Sequence, residues 1–275
     1  MGDIMTCKIN ADTSDGLKIV SDTSGEVVIQ DNGTTRLTVG DTSTFTTDLT
    51  VTENNSNAST DITVLNSNGV ATVGNESKLH LGCTNSATHG ASVIAEFTGT
   101  ANTNHLSDLI FKTTNSGSSL TETMRIHGSG AITAPLQPAF SAIPASDQND
   151  ATGNGTNATV VFGTEIFDKN ADFASNAFTA PVTGSYFLSA SVTIHDVDAN
   201  FTTGRLRIVT SNRSYMYEFD PAENISGAGV GSYSATVLAD MDAADTAHVT
   251  IILFDSTLTV DIQVNGTFFQ GYLVG

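Results

Sequence analysis

The chain has 275 residues and a formal net charge of -19, because it contains 29 acidic but only 10 basic residues. A surface this acidic repels the backbone of DNA or RNA, so we expect no nucleic-acid partner. Only 14% of the residues are charged, Trp is absent, and Thr, Ser, Asn and Gly are abundant. This composition favours many short strands joined by polar turns, and therefore an all-β protein.

The first residues and the cysteines bear on where the protein is made. Residues 1–10 lack the basic start and the apolar core of a signal peptide, and no run of about 18 apolar residues is present to span a bilayer. Cys7 and Cys83 are too few for a disulfide framework. We expect a protein that is made in a cytoplasm and does not insert into a membrane.

From about residue 16 to residue 134 the sequence repeats a short unit, in which a few alternating β-formers are followed by a polar turn. Its clearest copies are Gly16–Val20, Gly25–Ile29, Thr35–Gly40, Gly69–Gly74, Lys78–Gly82 and Gly130–Ile132. Asp31–Gly33 and Asn66–Gly69 are strong turn sequences. Each copy is too short to bury a face alone, and the spacing is too irregular for a solenoid. We expect an elongated β-rich shaft that obtains its core by packing three chains together.

Pro135, Pro138 and Pro144 cluster after this segment, and the first half of the cluster predicts a junction near Ala134 to Pro138. Residues 145–157 follow as a polar run without apolar periodicity, which predicts a loop. Beyond the junction, residues 135–275 read as a strand-rich globular domain with no helix longer than about two turns. Its predicted strands are Thr159–Phe167, Phe173–Phe178, Gly184–Ile194, Thr203–Val209, Tyr215–Asp220, Gly231–Leu238, Ala247–Asp255, Thr257–Val264 and Phe268–Val274.

Four sequence features in the last half of the chain carry a family resemblance: Pro138–Ala142, Val161–Phe162, Phe178–Phe187 and Phe269–Leu273. In this order and spacing they resemble the globular head of the C1q and tumour-necrosis-factor superfamily. The resemblance covers Pro138 to Gly275 and implies a jelly-roll sandwich that assembles as a trimer. It also implies that this domain binds and does not catalyse a reaction.

The carboxyl end supplies the candidate interaction residues. A head of this family hides its inner sheet against two neighbours, so we expect Phe268, Phe269, Tyr272 and Leu273 to be buried in the core or in a threefold interface. Two segments of the preceding shaft, Leu17–Gly40 and Thr123–Gly130, resemble the shafts of tailed-phage fibre proteins. We therefore interpret residues 1–15 as a segment that attaches to other virion proteins, 16–134 as the shaft and 135–275 as the knob.

Metal and sugar sites have weaker support. Six histidines occur without His-x-His or His-Glu-x-x-His spacing, and His80 and Cys83 form a metal site only with ligands from elsewhere. The residues Asp240, Asp242 and Asp245 suit a calcium ion or, more simply, a solvated turn. Tyr215, Tyr217 and Phe219 share one strand face, which suits core packing or a platform for sugar stacking. We expect neither a metal nor a cofactor.

Catalysis has no support in the sequence, since neither a Gly-x-Ser-x-Gly elbow nor a recognisable carboxylate pair is present. The interpretation that follows is a homotrimeric phage fibre or spike, released in the virion by lysis, whose knob attaches to a host-surface glycan or protein. One alternative is a head fibre or capsid decoration protein with a mainly structural role. Another is a depolymerase that acts on surface polysaccharide.

Overall fold

The computed structural model describes residues 30–31, 34–35, 64, 72–82, 89–99, 106–115, 119–224 and 229–274. The chain divides into two units, Met1–Thr63 and Val64–Gly275. In the first unit, strand β1 (Gln30–Asp31) pairs antiparallel with β2 (Thr34–Thr35). This pairing agrees with the turn predicted between Ile29 and Leu37. Most of the earlier repeat copies, the turn at Asn66–Gly69 and both cysteines lie outside the described residues.

In the second unit, the part of the repetitive segment that is described forms a five-stranded antiparallel sheet. Its strands follow one another in chain order and are β3 (Glu76–Gly82), β4 (Gly90–Phe97), β5 (Ser107–Thr114), β6 (Leu120–Ile126) and β7 (Ile132–Thr133). We call it the meander sheet. The predicted copy Lys78–Gly82 lies in β3, and the copy Gly130–Ile132 turns the chain into β7. Gly130 adopts a φ of +87°, which explains why glycine occupies this turn.

Arg125 organises one face of the meander sheet. Its guanidinium donates hydrogen bonds to the carboxylates of Glu96 and Asp108, each at 2.8 Å, and to Oε2 of Glu122 at 2.6 Å. These bonds hold the pKa of the Asp108 and Glu122 carboxyl groups below their ordinary values. The cluster ties β4, β5 and β6 together, because its members come from all three strands.

Residues from Ala139 onward form a sandwich of two antiparallel sheets. The strands are β8 (Ala139–Ile143), β9 (Gln148–Thr152), β10 (Ala158–Thr159), β11 (Thr164–Asp168), β12 (Phe173–Ala174), β13 (Ala177–Thr179), β14 (Gly184–His195), β15 (Thr203–Thr210), β16 (Ser214–Phe219), β17 (Gly231–Met241), β18 (Thr246–Phe254), β19 (Val260–Ile262) and β20 (Phe268–Leu273). The predicted all-β class and jelly-roll sandwich are confirmed.

One layer, the front sheet, has the order β11-β8-β20-β14-β19-β9, with β17 paired along the other edge of β14. The other layer, the back sheet, has the order β12-β13-β18-β15-β16, with β10 paired to β18. The last strand, β20, lies between the first strand of the domain and β14, so the sandwich is closed by pairing its two ends. The chain also passes repeatedly from one layer to the other, as between β14 in the front sheet and β15 in the back sheet. Connections of this kind are typical of a jelly roll.

Aromatic rings fill part of the core between the two layers. Phe140 stacks on Phe178 at 4.7 Å and on Phe173 at 5.0 Å between ring centroids, and it meets Phe269 edge-on at 4.9 Å. All four side chains are buried. Because such pairs contribute about 0.5–1.5 kcal/mol beyond area burial, they join strands of the front sheet firmly to strands of the back sheet.

The predicted loop at residues 145–157 is wrong, because it contains strand β9. The strand has no apolar alternation since it lies at the edge of the sheet, where Asn149 and Asp150 are exposed. Its register is held by pairing with β19 and by a hydrogen bond of 2.7 Å from the Asp150 amide to the Asp261 carboxylate.

Other predicted strands are divided in the structure. Phe173–Phe178 is a hairpin of β12 and β13, because Ser175 and Asn176 adopt φ values of 52° and 67°. Thr159–Phe167 divides between β10 in the back sheet and β11 in the front sheet. Within the described residues the helical element is a 3₁₀ turn at Ala222–Asn224, and none of their helices is long and apolar enough to cross a membrane.

Replacing Arg125 with Gln should loosen the meander sheet at neutral pH, because three carboxylates lose their shared cation. Amide exchange in β5 and β6, followed by mass spectrometry, should become about tenfold faster. A carboxyl group whose pKa is lowered on folding contributes stability above its unfolded pKa and loses it as the pH falls. The advantage of the wild-type sheet over the variant should therefore shrink from about pH 5 to about pH 3.

The matched control is Arg213→Gln, which breaks an exposed pair with Asp240 at 2.6 Å. Exposed pairs contribute little, so this variant should exchange like the wild type. An Arg125→Gln protein with unchanged exchange at pH 7 would contradict the role assigned to the cluster.

Candidate interaction surface on the front sheet

The two faces of strand β14 differ in character because side chains alternate along a strand. Tyr186, Leu188, Ala190, Val192 and Ile194 point into the core and are fully buried. Phe187, Ser189, Ser191 and Thr193 stand on the opposite side, which we call the outward face of the front sheet. The same alternation places Phe268, Gln270 and Tyr272 of β20, and the even-numbered residues of β17, on this face.

One end of the outward face is apolar. Leu238 lies opposite Phe187 on the neighbouring strand, and Phe187 lies opposite Tyr272 on the other side. The Phe187 and Tyr272 rings are 5.2 Å apart, and both line a hollow with Phe167. Leu238 is 61% exposed, Phe167 49% and Tyr272 48%. An exposed group of large apolar side chains of this kind is typical of a surface that contacts another molecule.

The middle of the outward face carries hydroxyl groups that are paired between β14 and β17. Three contacts form a ladder: Ser189 with Thr236 at 3.1 Å, Ser191 with Ser234 at 3.1 Å, and Thr193 with Ser232 at 2.8 Å. Because these hydroxyls already have partners, the middle of the face needs few hydrogen bonds from a further molecule.

Charge is also absent from the central part of this face. His195 at one end and Asp240 at the other flank this central part. Between them, the described outward positions of β8, β14, β17 and β20 include no Lys, Arg, Asp or Glu. The whole chain carries a net charge of -19. This face is therefore a place where two copies of the chain can approach without direct repulsion between carboxylates.

A groove between the edge strands β16 and β17 adjoins the outward face. Tyr215, Tyr217 and Met216 line it on one side, and Ala235 and Val237 on the other. The structure confirms core packing for Phe219, which is buried and stacks on Tyr233 at 3.6 Å. Tyr215 packs partly against the core, whereas Tyr217 is 47% exposed. The three aromatic residues of β16 thus differ in exposure and do not form one flat platform.

The four predicted interaction residues divide between two environments. Phe269 is fully buried in the sandwich core, and Leu273 packs against that core from a half-buried position. Phe268 is half-buried and Tyr272 exposed, both on the outward face. Burial of these two in a threefold interface stays a prediction.

The proposed ligand clusters have protein partners in the structure. Asp240 accepts a hydrogen bond of 2.6 Å from Arg213, and Asp245 accepts one of 2.8 Å from the Asp242 amide within the turn between β17 and β18. His80 lies 3.0 Å from the Ser92 hydroxyl, and Cys83 is outside the described residues. Across the described parts of the chain, His, Cys, Asp and Glu do not gather in threes close enough to hold a metal ion.

Sequence reasoning did not identify Phe167, Phe187 and Leu238 as surface residues. A sequence signal did exist for Phe187, since it alternates with the buried Tyr186 and Leu188 and must point away from them. For Leu238 and Phe167 the register against β14 and β8 was required, and that register depends on the fold.

Comparison with known proteins gives similarity at the level of solved structures only. No protein-family model matches the chain, and no curated protein matches it. The chain is similar to the globular domain of zebrafish complement 1qA, with 18% identity and a TM-score of 0.36, over 50% of this chain and 98% of that one. It is also similar to murine APRIL at pH 8.0, with 13% identity and a TM-score of 0.37, over 50% of this chain and 99% of that one.

Replacing Leu238 with Asp should weaken self-association of the chain, because a carboxylate would be buried in the proposed contact without a partner. The dissociation constant, measured by sedimentation equilibrium, should rise by about a hundredfold. The matched control is Leu258→Asp, since Leu258 is 52% exposed in the loop between β18 and β19. Equal association of the two variants would show that the outward face is not the contact surface.

Proposed function

We propose that the chain is a homotrimeric fibre or spike protein of a tailed-phage virion, and that its sandwich attaches the particle to a host surface by non-covalent binding. In this proposal residues 1–15 hold other virion proteins, and residues 16–134 space the knob from the particle. The protein is made in the host cytoplasm, is released by lysis, and has no catalytic role.

The observation that carries the proposal is the central part of the outward face, which has no charged side chain along β8, β14, β17 and β20 between His195 and Asp240. Phe167, Leu238 and Tyr272 supply exposed apolar area on it beside the half-buried Phe187, and the hydroxyl ladder is satisfied within the sheet. A buried interface needs these two properties, since unpaired charges and unsatisfied polar groups are costly to bury. The sequence resemblance to trimeric heads supports a threefold arrangement of such contacts.

The sandwich has two ends with different roles in this proposal. At the junction end, the connection from the meander sheet is anchored beside the last strand: the Gln137 side chain donates to the Leu273 carbonyl at 3.1 Å, and the Leu273 amide donates to the Pro138 carbonyl at 3.0 Å. Leu273 pairs with Tyr186, near the start of β14. The loops beyond His195, where β14 ends, therefore lie at the opposite end, which we call the tip.

The tip gathers loops that belong to different strands. The Val197 amide donates to the Gly229 carbonyl at 3.1 Å, and the Thr202 hydroxyl donates to the Asp255 carboxylate. These bonds connect the loop after β14 with the loops before β17 and after β18. Loops held on a rigid scaffold are the usual location of binding residues, so the tip is the surface that we assign to the receptor.

The tip is acidic. Its described loop residues, 144–147, 153–157, 196–202, 220–224, 229–230, 255–259 and 263–267, include no Lys, Arg or His. Their acidic residues are Asp147, Asp196, Asp198, Asp220, Glu223 and Asp255. A tip of this charge is repelled by an anionic cell envelope, and salt screens that repulsion over about 8–10 Å. Three copies offset weak single contacts by avidity.

The test is competition for adsorption by a fragment of residues 135–275. The fragment should fold alone, because the sandwich core consists of residues between Phe140 and Phe269. Excess fragment should block adsorption of intact particles, and adsorption by both should rise with moderate salt. A fragment of residues 1–134 should not compete. The 135–275 fragment carrying Leu238→Asp should compete about a hundredfold less well, because it loses avidity.

Adsorption that persists unchanged in excess trimeric 135–275 fragment would contradict attachment through the knob. That outcome would favour a decoration role on the particle. Release of soluble sugars from purified host polysaccharide would instead favour the depolymerase alternative.

A further inference from the structure

The meander sheet has one face without ionisable groups. Its cross-strand register places three rows of side chains on this face: Leu79, Val93, Phe111 and Met124; Ser77, Ala95, Leu109, Ile126 and Ile132; and Leu81, Ala91, Thr113 and Thr121. Every member of these rows is apolar or a neutral hydroxyl residue. We call this side the uncharged face.

All ionisable side chains of the five strands stand on the opposite, charged face. They are Glu76, Lys78, His80, Glu96, Asp108, Lys112, Glu122 and Arg125. They are joined there by ion pairs: Arg125 binds three carboxylates, and Glu76 lies 3.4 Å from Lys78 and 3.8 Å from Lys112. Ile94 and Ile110 share this face and are buried there. The two faces therefore differ in charge, because ionisable groups of the five strands occur on one of them alone.

The uncharged face is open in the single chain. Ile132 is 62% exposed, Leu81 55%, Leu79 53% and Leu109 37%. With strands about 4.8 Å apart and rows about 6.8 Å apart, the face measures roughly 20 by 14 Å. That area approaches the largest apolar patches found on monomeric proteins, so a partner is expected to cover it.

The size of the face indicates the kind of partner. A stable interface between independent proteins needs about 800 Å² per partner, several times this area. The face alone therefore cannot recruit a separate protein from solution. It can be covered by a molecule that is already held nearby, because tethering raises the effective concentration to the millimolar range.

The neighbouring copies of this chain meet that condition. The meander sheet ends at Thr133 and the sandwich begins at Ala139, so residues 134–138 alone separate them. Trimerisation through the sandwich, on which this inference rests, brings three meander sheets together. Their charged faces each carry four carboxylates and three cations, and such groups are costly to remove from water. The uncharged faces are therefore left for mutual contact.

We propose that the uncharged faces of three meander sheets pack against one another around the axis set by the sandwich trimer. The Arg125 clusters then face solvent on the outside of this assembly. The apolar rows form a shared core that a single copy does not have. Leu79, Phe111 and Ile132 contact other copies in this arrangement. Leu79 and Ile132, which are exposed in the single chain, are then covered.

A matched set of substitutions tests the contact. Leu79→Glu and Ile132→Glu each place a carboxylate on the uncharged face, at positions exposed in the single chain. Thr133→Glu is the control, because it adds the same charge next to Ile132 but on the charged face, opposite Arg125. In the full-length trimer, amide exchange in β4 and β5 should become about tenfold faster in the first two variants. It should stay at the wild-type rate in Thr133→Glu.

Contact between copies is tested separately by photo-crosslinking. A benzoylphenylalanine in place of Leu79 should form crosslinks to β4, β5 or β6 of another copy in the full-length protein. Trimers assembled from a mixture of ¹⁴N and ¹⁵N chains should give peptides that combine both isotopes. Crosslinks with a single isotope only would mean that the same chain covers the face, and would overturn the inference.

The trimer itself is checked first, by sedimentation of the wild-type chain. A monomeric wild-type chain would contradict the proposed function and remove the premise of this inference. A trimer in which Leu79→Glu, Ile132→Glu and Thr133→Glu all exchange at the wild-type rate would overturn the inference alone and leave the proposed function standing.

Discussion

The two-residue alternation of antiparallel strands is the constraint on which the rest of this structure depends. The chain has only 39% hydrophobic residues and a net charge of -19, so its apolar and charged side chains must be sorted to different faces. In the sandwich, alternation along β14 sends Leu188 and Val192 into the core and Ser189 and Ser191 outward. In the meander sheet, the same alternation sends Phe111 to one face and Lys112 to the other.

The two β-rich segments differ in how they use this sorting. The sandwich covers its apolar faces with its own second layer, and the ring contacts of Phe140 with Phe178 and Phe269 show how closely the two layers pack. The described meander sheet is a single layer, so its apolar rows have no second layer among the described residues to cover them. A layer architecture needs at least two packed faces. The sandwich therefore has a core of its own, whereas the uncharged face of the meander sheet needs cover from elsewhere.

Much of the fold could be predicted from the sequence, because alternation and turn residues are local signals. The strands that begin at Gly184, Thr203 and Phe268 occur where the sequence predicted them. The hairpin at Ser175 and Asn176 could not be predicted with the same ease, because its positive φ values fall on residues other than glycine. Strand β9 was missed because edge pairing with β19, rather than apolar burial, holds it in the sheet.

The candidate surface was harder to predict than the fold. The sequence directed attention to Phe268, Phe269, Tyr272 and Leu273 as one group, yet alternation divides them between the core and the outward face. Tyr272 belongs to the apolar end of that face only through its neighbour Phe187, a pairing that depends on β20 lying beside β14. Long-range register of this kind is set by the whole sandwich, so a local pattern does not contain it.

The distribution of charge connects assembly with attachment. Acidic groups are abundant in the tip loops and on the charged face of the meander sheet. Among the described residues they do not occur on the uncharged face of the meander sheet or along the central part of the outward face. Net charge therefore opposes aggregation at most of the surface while leaving particular faces free to associate. The same distribution leaves three acidic tips side by side in the proposed trimer. Binding at the tip must then overcome mutual repulsion as well as repulsion from an anionic envelope, which favours receptors that contact uncharged loop residues between the carboxylates.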